Sequence, residues 1–91
     1  MNKTSLLLAE KKYLEETLAE LPNSAEITKM STRSRIANID EKLVELRFLL
    51  AEKNQIEDLI AHLSPTELLD RASLERRLSK VNERLDELEQ E

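Results

Sequence analysis

Ninety-one residues with a formal charge of −5 make one domain at most, and a chain this short buries only about 60–65% of the surface its unfolded form exposes. Eighteen Leu, five Ile and two Val supply nearly all the bulky apolar groups, charged residues make up 36%, Gly is absent and Pro occurs only twice, a composition suited to long amphipathic helices. The lack of Cys excludes disulfides, thiolate zinc clusters and a thiol nucleophile, the lack of Gly excludes Gly-rich phosphate loops, and the acidic balance opposes general affinity for nucleic acid.

The first predicted element is a helix over about 4–21, where Leu7, Leu14, Leu18 and Leu21 form a 7-4-3 stripe on one face. Pro22-Asn23-Ser24 ends it, because Pro lacks a backbone donor and pushes the preceding residue out of the helical region. Ile27 and Met30 then read as connector residues that tuck under the helix pair and close its end. A second helix is predicted to start at Ser31, whose hydroxyl can accept from the orphan amides of the first turn. From Leu43 to Lys53 no Gly, Pro or turn cluster interrupts it, so it runs over about 32–63, a length of about 48 Å. Ser64-Pro65 either ends this helix or begins a short new turn, with Ser64 as cap and Pro at the first helical position. Leu69 and Ala72 repeat the tucked connector. The third helix, over about 73–90, starts at Ser73, and Leu74, Leu78, Val81, Leu85 and Leu88 follow in 4-3-4-3 spacing, a coiled-coil-like seam.

Sliding the sequence against itself by 42 residues aligns 6–46 with 48–88 without a gap, and 14 of the 41 positions are identical, including the pentapeptide Leu-Leu-Ala-Glu-Lys at positions 7 and 49. Periods near 40 residues point to helical-hairpin repeats. The expected fold is therefore all-α: a single domain over 1–91, built as a three-helix antiparallel hairpin array with a long central helix and two shorter ones folded back on its halves. Short connectors require the antiparallel sense.

Around the middle of the long helix, Leu43, Val44, Leu46, Phe48, Leu49, Leu50 and Ala51 are apolar on nearly every side, more than one outer helix can cover. Leu6, Leu7, Val44, Phe48, Leu49 and Ala51 are the candidate interface for a protein partner or a second copy, the homodimer being the expected form, since folded monomers rarely expose large apolar patches. A basic cluster, Arg71, Arg76, Arg77, Lys80 and Arg84, is a candidate site for an anion or nucleic acid. The favoured reading of that cluster is structural: the acidic segments 6–21 and 52–62 each fold onto the basic first half of the helix that follows, with Arg35 and Arg77 opposite Glu15 and Glu57, or Glu20. Aromatics for base stacking are nearly absent, so nucleic acid is an unlikely partner.

Chemistry finds little support. His62 with Asp58 lacks the several inward Glu and the Glu-x-x-His spacing of carboxylate metal bundles, and Ser73 has no adjacent His to activate it. Neither metal nor cofactor is expected, and no catalytic residue. The longest apolar runs, Leu6–Ala9 and Phe48–Ala51, are far short of a membrane span, and Met1–Ser5 leads into no signal peptide, so a cytoplasmic protein is expected. The stretch from Asp70 to Leu78, Asp-Arg-Ala-Ser-Leu-Glu-Arg-Arg-Leu, resembles helical hairpins of bacterial proteins. That resemblance implies a bacterial or phage origin and carries no functional residue with it. The sequence thus points to a non-enzymatic helical interaction module, with a small acidic antagonist of a specific enzyme or nucleic-acid-binding protein as the alternative.

Overall fold

The computed structural model describes residues 2–91, and among them the secondary structure is helical throughout, without strands: α1 over Lys3–Glu20, α2 over Glu26–His62 and α3 over Leu68–Gln90. α1 begins where Asn2 places its Oδ1 2.8 Å from the Ser5 amide, satisfying one of the donors that a helix start leaves without a partner. It stops at Leu21, immediately before Pro22.

The later starts differ from the expected ones. α2 begins at Glu26 and α3 at Leu68, six and five residues before Thr32 and Ser73, so Ser31 and Ser73 lie inside helices and cap nothing. Backbone bonds explain the shift. The Ala25 amide donates to the Pro22 carbonyl (3.0 Å) and closes a tight turn, after which Lys29 already donates to Ala25 (2.9 Å). In the second connector Glu67 donates to Ser64 and Arg71 to Glu67, both at 3.1 Å. There the Glu67 carboxylate also accepts from the Ser64 amide at 3.0 Å, while the Ser64 hydroxyl accepts from Thr66 at 3.3 Å. Ser64-Pro65-Thr66-Glu67 is thus a tight turn closed by both backbone and side-chain bonds, and α3 begins immediately after it.

Because the connectors are this short, the residues expected to tuck beneath them fall in the first turns of α2 and α3 and face solvent. Ile27 is 86% exposed and Leu69 87%, and Met30 and Ala72 are exposed as well.

The chain divides into two compact units, Met1–Val44 and Glu45–Glu91, with α2 contributing to both. In the first, Leu7, Leu14, Thr32 and Ile39 are buried. Leu7 and Leu14 are seven residues apart, as are Thr32 and Ile39, the heptad spacing that keeps one stripe facing a partner helix. Thr32 brings a hydroxyl into that apolar set and satisfies it by donating to the Thr28 carbonyl at 2.8 Å. In the second unit Leu46, Ile56, Val81 and Leu88 are buried, Ile56 and Leu88 to 1% exposure. No helix among the described residues is long and apolar enough to cross a membrane.

Candidate interaction surface

Each unit leaves large apolar side chains in solvent. In the second, Phe48 is 74% exposed, Leu50 45% and Leu59 47%. Phe48, Ala51 and Gln55 follow one another at intervals of three and four in α2 and so share a face. Together with Arg47, Glu52 and, from α3, Arg77, they line an open depression with a charged rim. In the first unit Leu6, Leu8, Tyr13 and Val44 are about half exposed or more.

The candidate interface therefore sorts by burial. Leu6 and Val44 are exposed in the first unit, and Phe48 and Ala51 in the second. Leu7 is core: its spacing from Leu14 turns it inward while Leu6 and Leu8, a hundred degrees to either side, turn out. Leu49 is half-buried and belongs more to packing than to a surface. Arg47 and Gln55 at the edge of the Phe48 depression carry no sequence expectation, and Arg77, expected in the basic cluster, lines it too. Gln55 could have been found as the position four after Ala51, whereas Arg77 comes from another helix, and its place beside Phe48 has no local signal.

Two members of the basic cluster, Arg84 and Arg77, meet carboxylates. Arg84 holds Glu45 through two nitrogens, Nε at 2.9 Å and Nη2 at 2.7 Å, and its remaining nitrogen lies 3.0 Å from Glu87 and 3.9 Å from Glu91. This bidentate geometry is the strong form of the pair. Hydrogen bonding to Arg84 holds the Glu45 carboxyl below the usual carboxylate range, and hydrogen bonding to Glu45 raises Arg84 in turn. Arg77 lies 3.8 Å from Glu52, too far for a hydrogen bond. Arg71 is half-buried, whereas Arg76 and Lys80 are exposed, sharing a second shallow depression with Glu83 and two serines.

In the first unit Arg35 reaches Glu10 at 3.4 Å and Lys11 reaches Asp40 at 2.6 Å, the hydrogen bond to Asp40 raising the lysine above its ordinary value. The acidic partners are thus Glu10 and Glu52, not Glu15, Glu57 or Glu20. The five-residue displacement accompanies the earlier starts of α2 and α3, six and five residues ahead of the expected ones. These exposed pairs fix alignment more than they add stability. His62 is exposed, with Nδ1 2.7 Å from the Asp58 carbonyl, and no group of three or more His, Cys, Asp or Glu side chains among the described residues is placed to hold a metal.

The Glu45–Arg84 pair sets a pH response. A carboxyl whose folded-state pKa is depressed contributes stability that is present above its ordinary value near 4.5 and lost as pH falls through the lower folded value. Thermal unfolding followed by circular dichroism from pH 7 to pH 3 is expected to show Glu45→Gln less stable than wild type at pH 7, with the gap closing in the acid. A gap that stays constant across the range contradicts the pairing.

No protein-family model, curated protein or solved structure matches this chain. The reading of its function rests on the residues themselves.

Proposed function

We propose that the protein is a non-enzymatic protein-interaction module built from two copies of one helical hairpin, and that it acts through apolar side chains its units leave exposed. The hairpin sense is supported within the second unit by ion-pair register. Glu45 meets Arg84 and Glu52 meets Arg77, so seven residues forward on α2 are seven back on α3, as antiparallel helices require.

The duplication is supported by features that return at the 42-residue offset. The turn bonds Leu21 to Leu18, Ala25 to Pro22 and Lys29 to Ala25 have counterparts in Leu63 to Ile60, Glu67 to Ser64 and Arg71 to Glu67. Buried Leu14, Ile39 and Leu46 correspond to buried Ile56, Val81 and Leu88, and the pair Glu10–Arg35 to Glu52–Arg77. Exposed apolar positions correspond too: Leu6 with Phe48, Leu8 with Leu50, and Ile27 with Leu69. What is duplicated is thus both a core and an outward apolar set, which favours a working surface over accidental exposure.

The single observation that carries the interaction reading is Phe48, the one Phe in the chain, 74% exposed beside a depression with a charged rim. Aromatic anchors of this kind supply most of the energy at protein interfaces. Affinity capture with wild-type and Phe48→Glu baits tests it: at least one specific protein, this chain included, should be retained by the first and lost by the second. Identical captures from the two baits would contradict the reading.

A further inference from the structure

We infer that the occupant of the Phe48 depression is the same depression on a second copy of this chain, the two α2 helices crossing antiparallel about a two-fold axis between Leu49 and Leu50. The inference rests on the interaction reading above and names its partner.

The arrangement of the lining carries it. An isologous contact requires that when residue i of one copy meets residue j of the other, j meets i. Arg47 and Glu52 stand on either side of the midpoint between Leu49 and Leu50, and Phe48 and Ala51 stand on either side of the same midpoint. A two-fold axis through it therefore sets each Arg47 against a Glu52 and each Phe48 against an Ala51. The apolar match is one of shape. Phe48 projects from the surface, while Ala51, the smallest residue lining the depression, leaves room for a ring to enter.

The charges match as well. Arg47 is exposed, and Glu52 is 3.8 Å from Arg77, an ion pair without a hydrogen bond, so its carboxylate retains acceptor capacity for an incoming guanidinium. A parallel pairing would instead set Arg47 against Arg47 and Glu52 against Glu52. Like charges brought together across an interface select against that alternative. The lining is small, so the dimer is a weak one whose population depends on protein concentration.

The test is sedimentation equilibrium of the full chain over a range of concentrations at low salt, with helicity measured on the same samples. Wild type should show a reversible monomer–dimer equilibrium. Arg47→Glu creates two Glu–Glu contacts in the antiparallel pair and should weaken association on the order of tenfold or more. The double variant Arg47→Glu/Glu52→Lys restores opposite charges and should recover most of the loss. The exposed Glu52–Arg77 pair it gives up contributes little to folding, so the double variant stays helical.

A monomeric wild type overturns the second-copy assignment, as does association unaffected by Arg47→Glu. Weakening that the double variant does not recover overturns the antiparallel pairing. None of these outcomes touches the capture experiment, in which the Phe48 face succeeds or fails with other proteins independently.

Discussion

Leu46→Glu is expected to abolish the cooperative thermal transition of the second unit. Leu46 is 4% exposed and its helix continues for more than a dozen residues on either side, so no fraying end can carry the new carboxylate to water. The substitution removes a buried aliphatic side chain, which typically costs 2–5 kcal/mol, and adds the cost of burying a charge that has no partner. A chain of this length is held by on the order of 5–13 kcal/mol in all. Circular dichroism should show a large loss of helical signal at 25 °C. A cooperative transition within a few degrees of wild type would show that Leu46 is not the core residue its burial makes it.

Phe48→Glu, two residues further along α2, is expected to leave that transition in place. Phe48 is 74% exposed, so its removal opens no cavity and its replacement needs no desolvation. Surface changes of this kind usually stay within about 0.5 kcal/mol, and Glu is the better helix former of the two residues. What the variant loses is an aromatic anchor, and the new carboxylate would stand next to Glu52 in the pairing inferred above. The contrast between two faces of one helical turn separates folding from association: Leu46→Glu destroys the first, Phe48→Glu only the second.

Much of the core was legible in the sequence because the heptad spacing is local. Leu74, Leu78, Val81, Leu85 and Leu88 announce a stripe, and Val81 and Leu88 are buried within it. Pro22 announces the end of α1, and Ser64-Pro65 the end of α2. The starts of α2 and α3 were hidden for a physical reason. The tight turns preceding them are closed by backbone bonds, Ala25 to Pro22 and Glu67 to Ser64, which most residues could make. Against that silence, the serines at 31 and 73 offered a cap signal the fold does not use.

The misplaced starts carried over to the ion pairs: Glu10 and Glu52, rather than Glu15 and Glu57, face Arg35 and Arg77. The candidate surface was legible in part. Apolar excess near the centre of α2 identified Phe48 and Ala51, yet composition could not tell Leu7 from its neighbours Leu6 and Leu8. Burial separates them because Leu7 alone of the three keeps the seven-residue step to Leu14. Ile27 and Leu69, more exposed than any of these, were assigned to the interior on the strength of connectors that turned out shorter.

The pairing of two copies through Phe48 is tested most directly by comparing the masses of wild type and Phe48→Glu in sedimentation at equal helicity. The account predicts that wild type sediments above the monomer mass as concentration rises while Phe48→Glu remains a folded monomer. The same mass for both across the whole range would contradict it.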